Sequence, residues 1–157
     1  MTVFLITLTC VGCDQATKFA AKQNLQHGPV YSYAGDTLRL QYAENTGAFL
    51  SLGASLPEPL RQLIFTLLVG IFILGLIAYL LMSRAPTPFA VSCLSLVAGG
   101  GVSNLIDRIA YDGRVVDFLN VGIGPLRTGI FNVADMAIAF GAVFLAIDTY
   151  RHNAQAK

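Results

Sequence analysis

Apolar residues gather in four long runs along the 157-residue chain, separated by two polar connections and one short turn. Leu63 to Met82 and Pro88 to Ile106 carry no charge, and Ile130 to Ile147 is interrupted only by Asn132 and Asp135. The remaining run, Met1 to Cys13, continues past Asp14 and Lys18 to about Ala21. A bilayer span needs about 20 mostly apolar residues. The pattern therefore predicts four transmembrane helices over about 2–22, 60–82, 88–107 and 130–150, joined by extramembrane connections 23–59 and 108–129. Within the connections the period changes. Thr37 to Tyr42 alternates polar and apolar residues, and Arg114 to Phe118 is rich in β-branched residues, so each predicts a strand. His27-Gly28-Pro29 marks a turn, Pro57 and Pro59 mark a helix start, and Arg151 to Lys157 reads as a short mobile tail.

Composition narrows the class. The chain is 55% hydrophobic and 12% charged, against about 25% charged in a soluble domain, and its mean hydropathy is +0.64. Ten Lys and Arg against nine Asp and Glu leave no basic surplus, so no nucleic-acid partner is expected. The predicted class is an all-α membrane protein of four transmembrane helices with a small extramembrane β platform, forming one domain over 1–157. The first run reads as a retained helix, because its first Lys follows the apolar stretch where a signal peptide has basic residues before it. Cys10 and Cys13 share a helix face with no nearby His and read, like Cys93, as buried packing residues.

Four alternating spans place the two long connections on one side of the membrane, and the polar residues inside the apolar runs fall at that same end. Asp14, Gln15, Thr17 and Lys18 sit late in the first helix, Asn104, Asp107 and Arg108 end the third, and Asn132 and Asp135 begin the fourth. The connections add Glu44, Asn45 and Asp117. An Asp or Lys in a span costs about 3 kcal/mol on insertion scales and is usually kept for function. Asp14 and Lys18 pair at i, i+4, and Asn104 shares a face with Asp107 and Arg108. Gly99-Gly100-Gly101 allows close helix contact. Lys22, Arg61 and Arg84 read as snorkelling ends, and Asp112 and Asp148 as solvated residues. Metal chemistry lacks ligands, since His27 and His152 stand at opposite ends. A Ser/Lys peptidase lacks a Ser within a helical turn of Lys18 or Lys22, and Gly99-Gly100-Gly101 precedes no Lys-Ser/Thr of a phosphate loop. A proton-coupled transporter or channel subunit using Asp14, Asp107 and Asp135 would show ionisable residues towards both faces and inverted repeats, and the sequence has neither.

Five blocks occur in order: DQATK (Asp14 to Lys18), ENTGAF (Glu44 to Phe49), GGGVSNLIDR (Gly99 to Arg108), VVDF (Val115 to Phe118) and FNVAD (Phe131 to Asp135). Together they resemble the bacterial lipoprotein signal peptidases, signal peptidase II, over nearly the whole chain. The resemblance implies an aspartic endopeptidase of the inner membrane that removes the signal peptide of prolipoproteins before a diacylglyceryl-modified Cys. It implies Asp117 and Asp135 as the catalytic dyad, with Asp14, Lys18, Asn45, Gly47, Asn104, Asp107, Arg108 and Asn132 supporting the dyad or contacting substrate. It further implies no metal or cofactor, contact with membrane lipids, and inhibition by globomycin-type compounds. Both termini would be cytoplasmic, with the site near the extracytoplasmic face. The positive-inside rule points the other way: Lys18, Lys22, Arg39, Arg61, Arg108, Arg114 and Arg127 lie on the site side, against Arg84, Arg151 and Lys157 opposite. Many family members read NTGAAFS where this chain has Asn45-Thr46-Gly47-Ala48-Phe49-Leu50-Ser51, one small residue fewer before the Phe.

Overall fold

The computed structural model describes residues 1–47, 55–83 and 87–155. Helix α1 spans Thr2–Leu25 and is followed by strands β1 (Tyr31–Tyr33) and β2 (Leu38–Asn45). Helix α2 runs over Glu58–Met82, with a π-helical stretch at Leu63–Leu68. Helix α3 (Pro88–Ala110) leads into strands β3 (Val115–Ile123) and β4 (Leu126–Arg127), and α4 covers Val133–Gln155. The departure of this chain near Ala48 to Ser51 lies outside the described residues.

Three helices, α2, α3 and α4, are long and apolar enough to cross a membrane. The predicted fourth, α1, is long enough at 24 residues, but Asp14, Gln15 and Lys18 lower its hydropathy. Helix ends differ from the sequence pattern in identifiable ways. Thr87 Oγ1 accepts the Ala90 N–H at 3.1 Å and Pro88 takes the first turn, which starts α3 where predicted. The last helix runs past the expected end near 150: α4 continues through Arg151 to Gln155, with Asp148 Oδ1 3.5 Å from His152 Nδ1 one turn on.

The helices pack around α3, and its three glycines explain how. Successive helical residues point about 100° apart, so each glycine meets a different neighbour. A Cβ at Gly99 would lie 2.8 Å from Cys10 Cβ on α1, one at Gly100 2.5 Å from the Ala134 carbonyl oxygen on α4, and one at Gly101 against Ile73 on α2. The Cys10 and Cys13 reading holds in part only. Cys10 and Cys93 are buried, whereas Cys13 is exposed, because three helical residues leave an offset of about 60°.

The sheet is antiparallel in the order β1-β2-β3-β4. A bulge between Leu40 and Ala43 interrupts the β2–β3 register, and Phe131 O accepts both the Phe118 and Leu119 N–H groups. Such irregularities bend a strand and re-aim its side chains, and here they flank Asp117. Both predicted strands are longer than the alternation indicated. β3 continues to Ile123 because β2 pairs with it on one edge as far as Val121, and Phe131 and β4 pair with it on the other. Leu25 and Ala21 of α1 pack with Phe118, Leu40 and Leu119, which seats the sheet on the end of the bundle where the polar residues lie.

Candidate active site

Asp117 and Asp135 reach one cavity from distant elements. Asp117 projects from β3, while Asp135 sits in the first turn of α4. Both line a cavity of about 360 Å³ with Asn45, Asn104 and Arg108, and its remaining wall includes Phe65, Val69 and Ile138. The two carboxylates are held by side-chain amides. Asn132 Nδ2 donates to Asp117 Oδ1 at 2.6 Å and Asn45 Nδ2 to Asp117 Oδ2 at 3.0 Å. Asn104 Nδ2 donates to Asp135 Oδ1 at 2.9 Å.

Asn132 acts from just before α4 rather than from within it. Its Oδ1 accepts the Asp135 N–H at 2.9 Å, and its own N–H reaches Asp135 Oδ2 at 3.4 Å. This reciprocal pair is a capping box. One residue thereby starts the helix, fixes Asp135 and holds Asp117.

Behind the cavity a buried cation organises three helices. Lys18 Nζ lies 2.7 Å from Asp14 Oδ2 and 2.9 Å from Asp107 Oδ2, and donates to Asn104 Oδ1 at 2.8 Å. Two carboxylates against one ammonium leave a surplus negative charge, and backbone groups meet it. The Ala134 N–H, in the first turn of α4, donates to Asp14 Oδ1 at 2.8 Å, and the Val116 N–H to Asp107 Oδ2 at 3.0 Å. A helix N-terminus favours a carboxylate at this position. Arg108 Nη2 donates to the Gly47 carbonyl at 2.9 Å, while its buried Nε has no hydrogen-bond partner among the described residues.

The structure thus brings together all ten residues singled out from the sequence, and separates two other members of the polar set. Thr17 Oγ1 returns to its own helix at Cys13 O and Asp14 O. Glu44 does not line the cavity; it accepts from Arg114 Nη1 at 2.8 Å and Tyr42 Oη at 2.9 Å, contacts that hold its carboxyl below the usual range. Of the residues read as snorkelling ends, Lys22 lies 4.3 Å over the Tyr111 ring. Ser103, Phe65 and Val69 were not singled out. Ser103 Oγ donates to Asp14 Oδ2 at 2.7 Å, and Gln15 Nε2 links Ser103 Oγ at 3.0 Å to Asp107 Oδ1 at 2.8 Å. The adjacency of Ser103 to Asn104 was a signal for it. Phe65 and Val69 carry none, as apolar residues in an apolar run.

Burial pushes the Asp117 carboxyl up to about 7, and the neighbouring Asp135 charge adds to the shift against the pull of the Asn45 and Asn132 amides. A group in that position exchanges its proton near neutrality, as acid–base work requires.

Comparisons with known proteins give the family of the chain. The family model for signal peptidase (SPase) II matches residues 6–151. The lipoprotein signal peptidase of Tolumonas auensis is 41% identical over 155 residues, covering 96% of this chain and 87% of that protein. The one from Moorella thermoacetica is 37% identical over 145 residues, covering 92% and 90%. A solved structure described as a bacterial membrane enzyme superposes with a TM-score of 0.85 at 25% identity, covering 99% of this chain and 92% of that one. With the family model matching residues 6–151 and curated relatives 37–41% identical over more than nine tenths of the chain, the chain belongs to the signal peptidase II family.

Proposed function

We propose that the chain is an aspartic endopeptidase that removes the signal peptide of diacylglyceryl-modified prolipoproteins on the N-terminal side of the lipidated Cys. Asp117 and Asp135 are the dyad in this reading. The observation that carries it is the convergence of these two carboxylates on one cavity whose other walls are largely apolar.

Two neighbouring carboxyls resist joint ionisation, so one proton is shared by the pair at neutral pH. The ionised member takes a proton from water as its oxygen attacks the scissile carbonyl, and the protonated member donates a hydrogen bond to the carbonyl oxygen. Collapse of the tetrahedral intermediate breaks the C–N bond and passes a proton to the leaving nitrogen. Asn45, Asn104 and Asn132 hold the carboxyls, and Asp14, Lys18 and Asp107 hold Asn104 and the start of α4. Gly47 positions Arg108 through its carbonyl, and Arg108 contacts the substrate from the cavity wall. Phe65, Val69 and Ile138 offer apolar surface to the signal peptide and its lipid, and the same surface suits a globomycin-type inhibitor.

The fourth span is α1. Its Asp14 and Lys18 are buried while Phe4, Leu5, Leu8 and Phe19 are exposed, the distribution of a helix with polar residues inward and apolar ones towards lipid. Both termini are then on one side, and we place them in the cytoplasm of a cell with this inner membrane. The cleavage site of an exported chain emerges on the opposite face, which favours an extracytoplasmic dyad. Of the cations that oppose this orientation by count, Lys18, Arg39, Arg114 and Arg127 all lie within ion-pair distance of carboxylates. The transport reading finds no support, because Asp14, Asp107 and Asp135 gather in one network at one end.

The test uses a purified prolipoprotein with and without the diacylglyceryl group. Mass spectrometry is expected to find a product beginning at the lipidated Cys from the modified substrate alone. Equal cleavage of the unmodified form would overturn the substrate class.

A further inference from the structure

The sheet that carries Asp117 has two faces of opposite character beyond the bulge. Tyr33 pairs with Leu38 and Leu38 with Val121, so the three share a face, and Tyr31, Leu40 and Leu119 share it one step along. Ile123, two residues after Val121, pairs with Leu126 and continues this apolar face to the hairpin tip. The opposite face carries Ser32, Arg39 and Asn120 in register. There Asp36 Oδ1 accepts Ser32 Oγ and Arg39 Nε, each at 2.7 Å, and Arg127 Nε donates to Asn120 Oδ1 at 2.6 Å. The polar face is satisfied by its own side chains, whereas among the described residues the apolar face is covered only where Leu40 and Leu119 meet α1. Past the end of α1 it is bare: Ile123 is 79% and Leu126 83% exposed, and Tyr31 and Tyr33 are exposed beside them.

The bundle says what lies there. β3 follows span α3 after the turn 111–114, and Phe131, bridged to Leu119, precedes the start of α4 by two residues. The sheet therefore sits directly on the end where two membrane spans emerge, and its bare face continues the one seated on α1. Tyrosines at a bilayer interface and aliphatic residues just below it suit this face, and it carries no Lys or Arg. We infer that the bare end of the sheet, Tyr31, Tyr33, Ile123 and Leu126, docks into the interfacial layer of the lipid bilayer and sets the depth of Asp117 on the same strand. Asp117 stands six residues from Ile123, about 20 Å along β3, so a rigid strand couples tip to site. The use of that depth rests on the peptidase reading, since it aligns the dyad with a peptide bond beside a lipid anchor; the docking itself does not.

The test uses the full chain with Cys10, Cys13 and Cys93 replaced by Ala, in phosphatidylcholine vesicles containing spin-labelled phospholipid. An environment-sensitive fluorophore is attached at Ile123→Cys, Leu126→Cys or, on the polar face, Ser32→Cys. Blue-shifted emission and quenching by the lipid label are expected at the two tip positions and not at Ser32→Cys, unchanged when anionic lipid is added. Unquenched tip fluorophores would overturn the docking. So would a blue shift that grows with protein density without lipid quenching, which identifies a second copy as the occupant. The doubly substituted Ile123→Asp, Leu126→Asp chain is expected to lose cleavage several-fold in vesicles and to keep it in detergent micelles. Quenching with unchanged vesicle cleavage would overturn the depth-setting role.

Discussion

At Asp117, burial and the charge of Asp135 push the carboxyl up to about 7, while two amide donors pull it down. An unfolded Asp titrates near 3.9, so folding favours the protonated form. This contribution to stability is fully present below about pH 4 and is lost as pH rises through about 7. Thermal unfolding in detergent is expected to show wild type losing stability between those values, with a flatter profile for Asp117→Asn. An identical slope in the two proteins would contradict the shift. Lys18 makes the second case. Lys18→Met leaves Asp14 and Asp107 facing each other without a cation, a change that costs about 3–5 kcal/mol for a buried pair. A large drop in unfolding temperature, together with loss of cleavage, is the expected result. At this scale the sequence was highly legible. Buried charges in apolar runs are rare enough that Asp14, Lys18, Asp107 and Asp135 stood out one by one. What it withheld were backbone partners, the Val116 and Ala134 N–H groups, because every residue but proline has such a group and only the fold selects which ones are used.

Helix α3 shows how one element distributes tolerance among adjacent positions. At Gly100 an added methyl meets the backbone oxygen of Ala134, which cannot rotate away, one residue before Asp135. At Gly101 it meets the tip of the Ile73 side chain, which can. Overpacking typically costs about 1–3 kcal/mol. Gly100→Ala is expected at or above the upper end with a fall in activity, and Gly101→Ala near the lower end with activity retained. Unfolding temperatures and cleavage rates measured side by side check this, and equal effects would contradict the geometry. Hydrophobic runs made the helices legible to within a few residues, but not the continuation of α4 to Gln155, since exposed polar residues in a last turn look like a tail. β1 and β4 went unseen because they are three and two residues long, too short to show a period. The bulges beside Asp117 depend on pairing with distant strands and leave no local trace.

The whole molecule is a bundle that gathers its polar residues at one end and covers that end with a sheet. Three helices long and apolar enough to cross a membrane follow from length and composition, and the five ordered blocks pointed to the family that the family model then matched. The cavity was not legible as a shape, because Phe65 and Val69 on α2 belong to a run that would equally face lipid. The roles of the two aspartates are the central claim, and one experiment addresses them directly. Purified wild type, Asp117→Asn and Asp135→Asn are incubated with diacylglyceryl-modified prolipoprotein, after unfolding curves show that both variants are folded. Acid–base groups contribute about 10²–10⁴-fold each, so wild type is expected to cleave and each variant to lose at least that factor. Cleavage at close to the wild-type rate by either folded variant would contradict the dyad.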